Sequence, residues 1–194
     1  MKYNDQFEPR ELAVLLSQLA SVLENGVEGD IVEFGCYRGD TSVEIQKLLV
    51  TTKSSKDLYL YDSFAGLPDK TSADASPAGM QFKSGELSAS RSEVVNKFKR
   101  AGLPMPKVYK AWFSDLTDTQ LPEKIAFAFL DGDYYESIKT SLSLIKSRLQ
   151  PGARIVVDDY QNEALPGAGR AVDEWLKINP AAMSITESLA IIKT

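Results

Sequence analysis

Histidine is absent from all 194 residues, and cysteine occurs once, at Cys36. The first absence removes Ser–His and Cys–His nucleophile pairs, histidine general bases and the usual zinc sites. The second removes thiolate metal centres and any internal disulfide; a lone thiol suits a reducing compartment, so a cytoplasmic location is expected. Acid–base or metal chemistry must therefore come from carboxylates, lysine or tyrosine. No apolar run approaches the roughly 18–20 residues of a membrane span, and the opening MKYNDQFEPR lacks a signal peptide's apolar stretch, so no membrane partner is expected. Basic residues are also in deficit. The 22 Lys and Arg against 27 Asp and Glu leave a net charge of −5, which argues against a nucleic-acid partner.

What is present suits one globular domain over residues 1–194, with 43% hydrophobic residues to build its core. PRELAVLLSQLASVLENG carries Leu12, Leu15, Leu16, Leu19 and Leu23 at helical spacing, opened by Pro9 and stopped by Asn25-Gly26. Near-continuous apolar runs at 30–35, 57–62, 107–112, 124–131 and 153–159 read as buried strands, with MSITE and LAIIK as two closing ones. Helices fall between them. One begins at Thr41 and Glu44, spaced as a capping box, and another carries Ile138, Leu142, Ile145 and Leu149 on one face up to Pro151-Gly152. The stretch 66–90, rich in Gly, Pro, Ser, Ala and Asp, shows no period and reads as a lid, binding loop or disordered segment. Alternating strands and helices predict a Rossmann-like, doubly wound, mostly parallel α/β sheet with helices on both faces. Such sheets bind ligands beyond the C-terminal ends of their strands.

Two features sit at those ends. VEFGCYRGDTS spaces Glu33-x-Gly35-x-x-x-Gly39, a turn that admits close backbone approach, and Thr41 and Ser42 put hydroxyls and N–H groups at a helix start. Asp62, at the tip of the next strand, is placed to accept hydrogen bonds from ribose hydroxyls. Glycine turns and turn-forming aspartates explain each piece alone; together they favour a nucleoside-type ligand. Cys36 reads as a small filler, and Trp112 and Phe113 as adenine-pocket walls or core packing. The second feature is acidic. FLDGD and VVDD end neighbouring strands in Asp131, Asp133, Asp158 and Asp159. Four carboxylates in one cleft repel unless protonated or neutralised, and an all-oxygen site favours a hard ion, Mg²⁺ first, with Mn²⁺ or Ca²⁺ open. A helix cap is the alternative for Asp133.

These pieces, with DSFAGLPD (62–69), KAWFSD (110–115), FLDGDYYES (129–137) and PGAGRAVDEW (166–175), resemble the macrocin O-methyltransferase family of class I S-adenosylmethionine-dependent methyltransferases. The resemblance implies S-adenosylmethionine and Mg²⁺ as cofactors and a hydroxyl acceptor on a small molecule, a sugar or glycosylated metabolite. It implies cofactor contacts at Glu33, Gly35, Gly39, Thr41, Ser42, Asp62, Ser63, Trp112 and Asp131. It implies metal ligation by Asp131, Asp158 and Asp159, and Asp133 as general base. A catechol-type methyltransferase with the same metal is an alternative, but Tyr134 stands where that chemistry has its lysine. A non-catalytic nucleoside-binding domain is the other alternative, and a homo-oligomer is left open.

Overall fold

The computed structural model describes residues 8–194. Helix α1 (Pro9–Glu24) opens on a reciprocal cap between Glu8 and Glu11 and buries Leu15, Leu19 and Val22. Strands β1 (Asp30–Phe34), β2 (Leu58–Asp62), β3 (Lys107–Lys110), β4 (Ile125–Leu130) and β5 (Leu149–Val157) are parallel. β6 (Ala182–Thr186) and β7 (Leu189–Lys193) run antiparallel at the end of the chain. The order across the sheet is β3-β2-β1-β4-β5-β7-β6, so strand order reverses between β1 and β4. That is the crevice where a doubly wound sheet takes its ligand.

Helices α2 (Asp40–Thr51) and α3 (Arg91–Ala101) share the α1 face, while α4 (Tyr135–Ile145) and α5 (Pro166–Ile178) cover the other. β4 shows why both faces are dry. Phe127 and Phe129 enter the core beneath α1 and α2, Ala128 and Leu130 the core beneath α4 and α5, and all four are fully buried. Each buried phenylalanine contributes roughly 1.5–3 kcal/mol of transfer free energy.

Two expectations need correction, and a third is narrowed. α2 starts at Asp40 from Gly39, whose left-handed backbone (φ +78°) makes the turn, and Thr41–Glu44 form no capping box. Glu44 instead pairs with Lys47 at 2.7 Å. Leu149 belongs to β5; α4 ends at Ile145, a tight 3-10 turn (Lys146–Arg148) follows, and Pro151-Gly152 lie inside β5. Of the three readings of 66–90, disorder drops out: the stretch is folded against the domain, with 3-10 turns at Ser72–Asp74 and Pro77–Gly79 and with Asp74 buried.

Candidate active site

The parallel ladder runs past the strand ends. Gly35 N donates to Tyr61 O (2.9 Å), Ala111 N to Asp62 O (3.0 Å), Asp131 N to Phe34 O (2.8 Å) and Asp158 N to Leu130 O (2.9 Å). Main-chain bonds thus pin every residue that begins a functional tip. Gly35 is required here: at φ +88° a Cβ would fall 1.8 Å from the Asp131 carbonyl oxygen. Above the tips lies a cavity of about 750 Å³. Gly35, Asp62, Ser63, Trp112 and Asp131 line it as expected, whereas Glu33, Gly39, Thr41 and Ser42 are not in its wall.

Asp62 is already occupied on one side. Its Oδ2 accepts from Cys36 N (3.0 Å) and Tyr37 N (2.8 Å), and its Oδ1 from Phe64 N (2.7 Å). The carboxylate therefore shapes the turn after β1 while keeping lone pairs toward the cavity, and burial raises its pKa against those three bonds. Behind the turn, Glu33 Oε2 and Ser42 Oγ are buried without a hydrogen-bond partner. Burial pushes Glu33 up to about 8; the nearby Ser42 hydroxyl opposes this and Asp62 adds to it. Cys36 is buried, and burial followed by Asp62 and Glu33 pushes its thiol upward, which makes it inert. Trp112 is 41% exposed, while Phe113 turns edge-on to Phe34 at 5.2 Å.

The acids converge. Asp131, Asp133 and Asp159 each offer an oxygen within 4.8 Å of the others. Asp158 is not in that group: its Oδ1 accepts from Asp159 N (2.8 Å) and from Ser188 Oγ (3.4 Å). Asp158 nonetheless lines the same cavity, and its charge is the largest of those acting on Asp131. Local backbone decides the grouping. Asp133 (φ +58°) and Asp159 (φ +57°) both adopt the left-handed conformation that aspartate tolerates better than most residues. Asn162 holds Asp159 through Nδ2 to Oδ1 at 2.7 Å. Tyr134, and not Asp133, is the N-cap residue of α4, and its own side chain makes no cap bond.

Burial, then the charges of Asp158, Asp133 and Asp159, push Asp131 well above the ordinary carboxylate range. Burial and Asp159 do the same to Asp158. Asp159 rises to about 6 because burial outweighs the Asn162 bond, with Glu11 adding. Desolvated acids that cannot all ionise unaided, with oxygen donors only, fit a hard divalent cation. Sequence reasoning missed Glu11, Ser188 and Asn162. Glu11 bonds Ser188, linking α1 to Asp158, and only Asn162, three residues after Asp159, left a local signal.

Comparison with known proteins agrees with this fold. The family described as Macrocin-O-methyltransferase (TylF) matches residues 9–192. The 8-demethyl-8-(2,3-dimethoxy-alpha-L-rhamnosyl)-tetracenomycin-C 4'-O-methyltransferase of Streptomyces olivaceus is 32% identical over 151 residues, 74% of this chain and 58% of that protein. Mycinamicin III 3''-O-methyltransferase of Micromonospora griseorubida is 31% identical over 163 residues, 80% and 63% of the two chains. The chain thus spans about three-fifths of such relatives (58% and 63%). The solved O-methyltransferase NovP superposes with TM-score 0.83 at 25% identity, covering 95% of this chain and 79% of its own. An O-methyltransferase from Bacillus cereus in complex with SAH shares the fold (TM-score 0.64, 14% identity, covering 99% and 84%). Among the described residues no helix is long and apolar enough to cross a membrane.

Proposed function

Because this chain belongs to the macrocin O-methyltransferase (TylF) family, we propose that it methylates a hydroxyl of a sugar or glycosylated metabolite, using S-adenosylmethionine and a divalent ion, Mg²⁺ first. The observation that carries the reading is the convergence of the half-buried Asp131, Asp133 and Asp159 beside a cavity at the sheet's switch point. A relative named for a rhamnosyl-bearing tetracenomycin supports the acceptor class. Among the described residues the cavity wall includes Glu8, Glu11, Glu136 and Glu163 beside the aspartates, and no lysine or arginine. That favours an uncharged or cationic acceptor over a phosphate-bearing one.

When bound, the cofactor supplies a methyl carbon activated by positive sulfur, and the ion lowers the acceptor hydroxyl's pKa. The chain's residues do the rest. Asp62 would accept from the ribose hydroxyls with its remaining lone pairs, and the partly exposed Trp112 would offer the adenine a stacking face. Asp131 and Asp159 would hold the ion. Asp133, whose oxygen lies near theirs, takes the acceptor proton. Asp158 orients Asp159 through its main-chain N–H. Trp112, Phe113, Leu67 and Phe82 line the cavity and exclude water.

The test is turnover with labelled S-adenosylmethionine across a panel of glycosides, measured against Mg²⁺ concentration. Asp131→Asn should raise the metal requirement. Asp133→Asn should keep metal and cofactor affinity while kcat falls by roughly 10²–10⁴. Rescue of Asp133→Asn by excess metal would make it a ligand, and turnover indifferent to chelator would remove the ion from the reading.

A further inference from the structure

α4 starts without a cap of its own, directly after the left-handed Asp133. Two consecutive N–H groups fix that start. Tyr134 N closes a tight turn onto Gly132 O (2.6 Å), which puts Asp133 at its centre. Tyr135 N donates to Asp74 Oδ1 at 2.7 Å, from a residue 61 positions earlier in the chain. The other oxygen of Asp74 accepts from Thr71 N (2.9 Å) and Thr71 Oγ1 (2.7 Å), so the carboxylate is saturated from both sides and buried. A third element closes over it. At Gly167, in the first turn of α5, a Cβ would sit 1.9 Å from Asp74 Oδ1 and 2.7 Å from Tyr135 N.

The same stretch grips the second acid-bearing loop. Ser76 Oγ donates to Glu163 O at 2.6 Å, and Gly79 packs so closely that a Cβ would lie 2.1 Å from Ala164 O. Residues 71–79 therefore touch the loop after Asp133 and the loop after Asp159, and neither loop contacts the other through these bonds.

We propose that Asp74 is a positioning residue: acting as the cap of α4, it makes 71–79 a brace that sets Asp133 against Asp131 and Asp159. The proposal rests on the divalent-ion reading above and adds to it a residue outside the cavity wall. A left-handed aspartate costs conformational energy and persists only where its surroundings over-determine it. Removing the bond to the next N–H but one lets the turn closed by Tyr134 N and Gly132 O relax, which shifts Asp131, a ligand in the reading above, together with Asp133 relative to Asp159.

The experiment compares Asp74→Ala and Asp74→Asn with the unaltered protein, by Mn²⁺ titration and by amide exchange of residues 132–138. Asn keeps an oxygen for Tyr135 N and gives up only an acceptor for Thr71. Asp74→Ala should weaken Mn²⁺ about 10-fold or more, on the scale of a lost outer-shell partner. It should also deprotect Tyr135 while leaving S-adenosylhomocysteine affinity near normal; Asp74→Asn should restore most of both readouts. If Asp74→Ala does not fold, Asp74→Asn against Thr71→Ala carries the comparison, with Thr71→Ala expected to keep Tyr135 protected. Unchanged Mn²⁺ affinity and unchanged protection in a folded variant overturn the proposal. If the unaltered protein binds no Mn²⁺, the ion reading fails by itself; the brace then stands or falls on exchange at Tyr135.

Discussion

Replacing Glu33 by Gln should stabilise the protein, and by more as the pH rises. Glu33 is 1% exposed, one oxygen has no partner, and burial lifts its pKa from 4.5 to about 8. A carboxyl raised in the fold is carried neutral, so folding takes up a proton wherever the unfolded chain would have lost it. Its penalty is absent below pH 4.5, grows as the pH climbs, and levels off above about 8. Between those limits each pH unit costs about 1.4 kcal/mol, which gives about 1 kcal/mol at pH 5 and about 3 kcal/mol at pH 7. Gln has nearly the same volume and no charge to lose, so it escapes the pH-dependent part. Urea unfolding from pH 5 to 8, with chelator present, measures the difference between the two proteins. The other buried acids titrate in both and largely cancel. The gap should widen by about 3 kcal/mol over that range, which in a chain of this size is roughly 10 °C in Tm. Parallel stability curves for the two proteins would refute the claim that Glu33 is neutral in the fold.

Asp62→Ala should weaken S-adenosylmethionine binding by about 1.5–3 kcal/mol, the scale of charge-assisted bonds. Calorimetry checks it, and undiminished affinity in a folded variant ends the ribose assignment; because Asp62 also holds Cys36 N and Tyr37 N, some loss of stability should accompany it. Asp159→Asn should raise stability at pH 7–8 in the absence of divalent ions, since its folded pKa near 6 makes ionisation costly there. The same change should reduce the Tm gain produced by added Mg²⁺, and a full gain in the variant would take Asp159 out of the ion's ligands.

The inner strands were readable because a parallel strand covered on both faces shows as an apolar run, such as the fully buried IAFAFL of β4. The edge strand β3 (KVYK) is only partly covered. Helix starts were less readable. Thr41 and Glu44 have a cap's spacing, but the left-handed Gly39, bonded to Cys36 O at 2.6 Å, begins the helix earlier. Leu149 continues a helical period by coincidence and packs as the first residue of a strand. The four aspartates could be read from sequence; their division of labour could not. Which of these acids bring their oxygens together depends on backbone angles at Asp133 and Asp159 that period and composition do not encode. Asp74 was hidden for another reason: its partner is far along the chain, and its own surroundings show no repeat.

The placement of β7 between β5 and β6 sets the order in which a newborn chain can complete this site. β5 carries Asp158 and Asp159 at its tip, and one of its edges is satisfied only by Leu189–Lys193. Ser188, which bridges Glu11 and Asp158, immediately precedes that strand. While the ribosome is still adding these residues, β5 presents an open, apolar edge able to pair with any neighbouring strand. A chain stalled before residue 193 would hold all four aspartates and yet be prone to aggregate. Synthesis that pauses near the hairpin, or a fusion that keeps β7 from reaching its slot, should therefore lower yield long before it touches any residue of the chemistry.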